Sequence, residues 1–175
     1  ACHVLGIRIS EIRDASTSSE VKGESFEDSI RTFSSYVDLI VMRTWGEGLA
    51  QTSADLMDRI QRPVPIINAG SGRDQHPTQA LLDIYTLERS FEHMGGIDGK
   101  TIALMGDLKR GRTVRSLAYL MKNYRDVTLI FVAPKPFQMG ETIKQHVVDN
   151  GNRFVETESL HEVLPELNAL YMTRL

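Results

Sequence analysis

Short apolar runs alternate with amphipathic stretches along the chain. Seven of the runs predict strands, at 4–9, 37–42, 65–68, 101–105, 127–132, 154–155 and 169–172. Continuous runs rich in β-branched residues are typical of parallel strands that helices cover on both faces. The amphipathic stretches predict helices, at 26–36, 47–60, 78–92, 112–124 and 141–150. The repeated β-α-β order therefore predicts the α/β class, with parallel-sheet units that carry helices on both faces.

A glycine-rich segment at 94–100 is the one plausible internal boundary. Three of its residues are glycines, which end the preceding helix and permit a turn before the strand at 101–105. We therefore predict two α/β units, one over residues 1–93 and one over residues 94–175.

Composition narrows the class of protein without identifying it. Hydrophobic residues make up 41% of the chain and charged residues 25%, as in ordinary globular domains. A net charge of −3 argues against a broad basic face, so we expect no nucleic-acid partner. No apolar run is long enough to cross a bilayer, so we expect no membrane partner and a cytoplasmic location. Cys2 is the single cysteine, and the histidines other than His76 lack metal-ligand spacing, so we expect neither a metal nor a cofactor.

Polar side chains follow several of the predicted strands. They are Arg43, His76, Gln79, Arg112 and Arg174. Because ligands of open α/β sheets bind at the carboxyl ends of the strands, these residues are expected to meet at one rim of the sheet. Three arginines with a histidine and a glutamine predict a site for an anionic substrate that carries more than one phosphate or carboxylate group.

Each of these residues also has a structural explanation. An isolated arginine such as Arg43 is most often solvated or in a salt bridge, and Thr113 beside Arg112 could simply cap a helix. His76 precedes a proline that suits a first helical turn, so its imidazole could also be a cap. It is the set of residues at one rim, and no single member, that favours a functional site.

Five motifs in these segments resemble one known family. They lie at 18–24, 37–43, 74–79, 106–116 and 171–174, where 74–79 reads Asp-Gln-His-Pro-Thr-Gln. The chain is similar to the aspartate and ornithine carbamoyltransferases, and most similar to the branch that uses aspartate. The resemblance implies transfer of a carbamoyl group from carbamoyl phosphate to L-aspartate, which gives N-carbamoyl-L-aspartate and phosphate for pyrimidine biosynthesis. It also implies a carbamoyl-phosphate-binding domain at 1–93 and an aspartate-binding domain at 94–175.

The resemblance implies a role for each candidate at the carbamoyl-phosphate side. Arg43 resembles the arginine that holds carbamoyl phosphate and polarises its carbonyl group. His76 resembles the histidine that donates to the same carbonyl oxygen. Gln79 resembles the side chain that accepts a hydrogen bond from the carbamoyl amino group.

Other matches concern the second substrate and the assembly. Arg112 and Arg174 resemble the arginines that hold the two carboxylates of aspartate. Ser18 and Lys22 match a loop that reaches the neighbouring subunit's site in this family, where it touches phosphate, and Lys22 also faces aspartate. The resemblance therefore implies a homotrimer with shared active sites, and regulatory subunits or fused pathway enzymes are further partners that it allows.

The chain also departs from the family pattern. The phosphate-binding Ser-Thr-Arg-Thr-Arg segment is absent, and its usual place would precede Ala1. We therefore interpret the chain as an internal segment in which both domains are incomplete. Two alternatives stay open: a catalytically silent relative or fragment that acts in ligand binding or assembly, and a carbamoyltransferase for another amine such as ornithine.

Overall fold

The computed structural model describes residues 3–12, 24–60, 63–72 and 75–174. The helices are α1 Phe26–Ser34, α2 Leu49–Met57, α3 Pro77–Phe91, α4 Arg112–Leu120, α5 Glu141–Asp149 and α6 Leu160–Val163. The strands are β1 Ile40–Thr44, β2 Ile66–Ser71, β3 Thr101–Met105, β4 Thr128–Val132, β5 Arg153–Thr157 and β6 Ala169–Met172. Short 3-10 turns extend α3 and α4, at Glu92–Met94 and Met121–Asn123.

By internal contacts the chain divides into two compact units. The smaller comprises Ala1–Ile40 and Gln51–Ile67, and the larger comprises Val41–Ala50 and Asn68–Leu175. In the smaller unit, the Ser25 hydroxyl caps α1 by accepting a hydrogen bond from the backbone N–H of Asp28 at 3.1 Å. This division follows contacts within the chain, whereas the predicted boundary between residues 93 and 94 concerns ligand-binding domains and stays a prediction.

The larger unit contains a four-stranded sheet in the order β5-β4-β3-β6. All of its neighbouring strands are parallel. The chain passes from β3 outward to β4 and β5 and then returns to place β6 on the other side of β3. The strand order therefore reverses between β3 and β6, and a crevice at the carboxyl ends of two such strands is where open α/β sheets bind ligands.

Alternating side chains of the sheet supply two apolar layers. Ile102 and Leu104 of β3 face the core that α3, α4 and α5 complete, together with Phe131 of β4. Ala103 and Ile130 face the opposite side, where α6 and the turn after it cover them. Helices flank the sheet on both faces, and its central strands are apolar after their first residue, which is Thr101 in β3 and Thr128 in β4. The predicted α/β fold class is confirmed.

Most of the predicted elements are present with small shifts at their ends. The strands at 101–105 and 169–172 have the predicted bounds. The predicted strand at 4–9 is wrong, because residues 3–6 form a turn and 7–12 form no strand. The side chains of Val4 and Leu5 are 89% and 73% exposed, so these two apolar residues are not part of a packed core. The short helix α6 was not predicted, since four residues show no helical period.

None of the helices in the described part of the chain is long and apolar enough to cross a membrane.

Candidate anion-binding site

Gly70, near the end of β2, marks the point where three candidate side chains meet. A Cβ atom built on Gly70 would lie 3.6 Å from Arg43 Nη1, 3.7 Å from Arg112 Nη1 and 3.7 Å from His76 Cδ2. Gly70 has φ +124°, a conformation that side chains rarely adopt, so glycine suits both the backbone and the crowding at this point. Residues 43, 76 and 112 are therefore neighbours although they come from β1, the start of α3 and the start of α4.

Both arginines are held by carbonyl groups of the loop around Gly70. Arg112 Nη1 donates to the Gly72 carbonyl at 2.6 Å, and Arg43 Nη1 donates to the Ala69 carbonyl at 3.4 Å. No described carboxylate forms an ion pair with either guanidinium. Two neighbouring cations that have no ion-pair partner among the described residues create a positive potential that attracts an anion.

His76 stands at the N-terminus of α3 as its capping residue. Its Nδ1 atom accepts a hydrogen bond from the backbone N–H of Gln79 at 3.3 Å. In the neutral ring the proton therefore lies on Nε2, which remains available as a donor. Burial lowers the pKa of His76, and the positive charges of Arg112 and Arg43 lower it further. The site thus favours a neutral imidazole that donates through Nε2.

The Gln79 side chain points along α3 to a carboxylate one turn further on. Gln79 Nε2 donates to Asp83 Oδ1 at 3.0 Å. A carboxylate offers only acceptors, so this contact engages the amino end of the amide and leaves Gln79 Oε1 free to accept another hydrogen bond. Gln79 and His76 belong to the same turn of α3, so the carboxamide and the imidazole are fixed by one element.

The carboxyl ends of β3 and β6 approach each other closely. A Cβ atom on Gly106 would lie 2.8 Å from Thr173 Cγ2 and would overlap the Thr173 carbonyl oxygen. The backbone N–H of Asp107 donates to the Arg174 carbonyl at 3.2 Å. The loop that leads from β3 to Arg112 therefore begins beside the backbone of Arg174, whose side chain is exposed.

The structure thus brings together Arg43, His76 and Arg112 and connects Gln79 to His76 through the first turn of α3. Arg174 lies at the end of β6, in the crevice beside β3. Ser18 and Lys22 lie outside the described residues, so their placement stays a prediction.

Two further polar residues contact the site and were not predicted. Ser116 Oγ of α4 accepts a hydrogen bond from the backbone N–H of His76 at 3.1 Å, across 40 positions of sequence. No local pattern signals such a contact. The contact between Gln79 and Asp83 could be predicted from the sequence, because residues four apart on a helix are neighbours and a glutamine can donate a hydrogen bond to an aspartate at that spacing.

Within the described ranges, no cluster of three or more His, Cys, Asp or Glu residues could hold a metal ion. The expectation of no metal and no cofactor stays a prediction.

A parallel α/β sheet with two fixed guanidinium groups and a neutral imidazole beside one glycine loop defines a protein class that binds a small anionic ligand. Residues 1–89 match the family model described as aspartate/ornithine carbamoyltransferase, carbamoyl-P binding domain. The matched range includes Arg43, His76 and Gln79. The chain belongs to the aspartate/ornithine carbamoyltransferase family, and the resemblance stated from its motifs is confirmed.

Curated relatives agree with this assignment. The chain is 45% identical over 175 residues to the aspartate carbamoyltransferase catalytic subunit of Thermococcus gammatolerans, covering 100% of this chain and 54% of the relative. It is 46% identical over 158 residues to aspartate carbamoyltransferase 1, chloroplastic, of Pisum sativum, covering 90% of this chain and 39% of the relative. The chain therefore spans about half the length of the curated relatives it matches.

Solved structures give the same result. An aspartate transcarbamoylase from Trypanosoma cruzi in complex with N-(phosphonacetyl)-L-aspartic acid matches with a TM-score of 0.83 at 36% identity, over 99% of this chain and 53% of that one. The catalytic subunit of the M. jannaschii aspartate transcarbamoylase matches with a TM-score of 0.76 at 43% identity, over 91% and 50% respectively.

Proposed function

We propose that this chain carries the site at which a carbamoyl group passes from carbamoyl phosphate to the amine of L-aspartate, for pyrimidine biosynthesis. The observation that carries the proposal is the meeting of Arg43, His76 and Arg112 around Gly70. The solved T. cruzi relatives, which hold carbamoyl phosphate with aspartate in one complex and N-(phosphonacetyl)-L-aspartic acid in another, support it.

The carbamoyl carbonyl group is activated by two donors. Arg43 and the Nε2–H of His76 donate to its oxygen, where negative charge grows as the amine attacks. One such donor is worth about 10²–10³-fold in rate, since it is already oriented when the charge appears. A neutral His76 suits this role because its Nδ1 is already engaged by the Gln79 N–H, which orients the ring.

Gln79 holds the other end of the carbamoyl group. Its Oε1 atom accepts a hydrogen bond from the carbamoyl amino group, since its Nε2 is bound to Asp83. The carbonyl oxygen and the amino group are then bound by different residues, so the plane of the carbamoyl group is defined. That orientation presents the carbon to the incoming amine.

Arg112 and Arg174 bind the two carboxylates of aspartate. Bidentate guanidinium–carboxylate contacts place the aspartate amine at attack distance from the carbamoyl carbon. The new bond joins the amine nitrogen to that carbon, the carbon–oxygen bond to phosphate breaks, and the departing phosphate can accept the amine proton. No covalent intermediate on the protein is required.

Assembly and location belong to the same proposal. Ser18 and Lys22 are proposed to complete the phosphate site of a neighbouring subunit in a homotrimer.

Residues 1–93 are proposed to bind carbamoyl phosphate and residues 94–175 to bind aspartate, and the family match over 1–89 supports the first assignment. A cytoplasmic location is proposed, although the curated plant relatives are named chloroplastic.

The test is the formation of N-carbamoyl-L-aspartate from carbamoyl phosphate and L-aspartate by the full-length protein, with ornithine assayed in parallel. Product from aspartate alone supports the proposal. Product from ornithine would overturn the choice of acceptor, which rests on the repulsion between the cationic ornithine side chain and two arginines. No product from either amine would favour a silent relative that binds ligands.

A further inference from the structure

We propose that Asp83 is a positioning residue that decides which end of the Gln79 amide faces the carbamoyl group and thereby selects an amino group over a methyl group at that position. The inference rests on the proposed function, because it assigns to Asp83 a task within the carbamoyl-phosphate site.

The geometry leaves the amide one favourable orientation. Gln79 and Asp83 lie one turn apart on α3, and Gln79 Nε2 is 3.0 Å from Asp83 Oδ1. Turning the amide over would place Gln79 Oε1 against a carboxylate oxygen, so that two acceptors would face each other. The carboxylate therefore holds the amino end of Gln79 on its own side and leaves Oε1 as the acceptor for the ligand.

The contact is more shielded than similar contacts elsewhere in the chain. Asp83 Oδ2 is buried and receives no hydrogen bond from a described residue. On α5, Gln145 Nε2 donates to Asp149 Oδ1 at 2.7 Å with the same spacing, yet both side chains are exposed. A hydrogen bond away from water is stronger electrostatically, and a mismatched one costs more. The Gln79 amide is thus constrained where the Gln145 amide is free to exchange partners with water.

The same carboxylate also acts on a side chain of β6. Burial raises the pKa of Tyr171, a side-chain hydrogen bond with Thr113 lowers it, and the charge of Asp83 raises it. Asp83 thus interacts both with Gln79 on α3 and with the strand that precedes Arg174.

The chemical consequence is selectivity for a donor on the ligand. A carbamoyl group carries an amino group that can donate to Gln79 Oε1. Acetyl phosphate has the same shape with a methyl group in that place, which cannot donate. If Asp83 fixes Oε1 toward the ligand, the protein prefers carbamoyl phosphate over acetyl phosphate, and loss of the carboxylate reduces that preference.

The experiment measures the affinities of carbamoyl phosphate and acetyl phosphate for the full-length protein by calorimetry. For Asp83→Asn we expect the preference for carbamoyl phosphate to fall by about five-fold, within the range of one hydrogen bond, while the affinity for acetyl phosphate stays nearly constant. Asp149→Asn is the matched control, since it changes the same kind of contact on α5, and it should leave both affinities unchanged.

A double-mutant cycle separates this role from a merely structural one. In a Gln79→Ala background, Asp83→Asn should leave the preference unchanged, because no amide remains to be oriented. The inference is overturned if Asp83→Asn retains the full preference, or if it lowers the preference equally with and without Gln79. A wild-type protein with no preference for carbamoyl phosphate would instead contradict the proposed function itself, and the inference would fall with it.

Discussion

The backbone N–H of His76 donates to the hydroxyl of Ser116 at 3.1 Å, which joins the first turn of α3 to the middle of α4. Ser116 is buried and lies one turn beyond Arg112 on the same helix. The contact therefore joins the start of the helix that His76 caps to the helix that carries Arg112.

Removing that hydroxyl should loosen the site. Ser116→Ala leaves the His76 N–H without its acceptor, so we expect a loss of about 1–2 kcal/mol in the free energy of unfolding and a lower kcat for carbamoyl transfer. Chemical denaturation and steady-state kinetics measure the two effects. Ser90→Ala is the control, because Ser90 is exposed on α3 and bonds only the Thr86 carbonyl. Equal behaviour of the two variants would contradict the assignment.

Arg43 should matter for the chemical step. Arg43→Gln removes the donor proposed for the carbamoyl oxygen, and we expect kcat to fall by about 10²-fold or more. Arg89→Gln makes the same change of charge on the exposed face of α3, where the Arg89 guanidinium only pairs with Glu92. That control variant should keep nearly the wild-type rate. A normal kcat in Arg43→Gln would remove Arg43 from the reaction.

Arg174 should act on the second substrate. Arg174→Ala is expected to raise the KM for aspartate by about 100-fold, the range of a bidentate contact between charges, with the affinity for carbamoyl phosphate preserved. Initial-rate kinetics with each substrate varied in turn separate the two effects. Arg153→Ala, on β5, serves as the control for the loss of an exposed arginine at a strand. A KM for aspartate that does not change would remove this assignment.

The lowered pKa of His76 predicts a defined dependence on pH. Burial and the charges of Arg112 and Arg43 lower the pKa of His76 in the folded chain below its ordinary value of 6.5. At a pH between the lowered pKa and 6.5, the unfolded chain therefore binds a proton at His76 more readily than the folded chain does. The free energy of unfolding rises with pH across this range, and above 6.5 protonation of His76 no longer reduces it.

Thermal melting across this pH range measures the effect. His76→Gln should flatten the pH dependence of the melting temperature below 6.5. An unchanged pH profile in His76→Gln would show that other groups cause the dependence.

Gly106 should be intolerant of any side chain. Its φ is +123° and a Cβ atom would meet the Thr173 backbone, so Gly106→Ala is expected to destabilise the fold by about 3 kcal/mol from backbone strain and overlap. Gly140→Ala is a matched control, since Gly140 has φ −67° and open space around it. Denaturant unfolding compares the two variants. Equal free energies of unfolding for Gly106→Ala and Gly140→Ala would show that the backbone at Gly106 and Thr173 can move apart without cost.

Local patterns in the sequence determined most of the secondary structure of this protein. The strands β3 and β6 and the start of α4 have the predicted positions because apolar β-branched runs, glycine turns and helical spacing are properties of neighbouring residues. The rule that ligands bind at the carboxyl ends of parallel strands also predicted that residues 43, 76 and 112 would meet. It was wrong to place them at the rim of one sheet, because β1 pairs with β2 in a two-stranded sheet, whereas β3 belongs to the four-stranded one. The run at 4–9 shows the limit of such reasoning, because an apolar stretch becomes a strand only where another strand pairs with it.

The sequence by itself thus determined the α/β class, most of the elements and their order, and the candidate residues 43, 76 and 112 that meet at Gly70. Only the tertiary structure decided which atoms of the site form hydrogen bonds with one another. It shows that the His76 N–H donates to Ser116, that His76 Nδ1 accepts from the Gln79 N–H, and that the amino end of the Gln79 amide contacts Asp83. The physical reason is that hydrogen-bond direction and charge depend on distance and burial, and residues 40 positions apart come into contact only when the chain has folded.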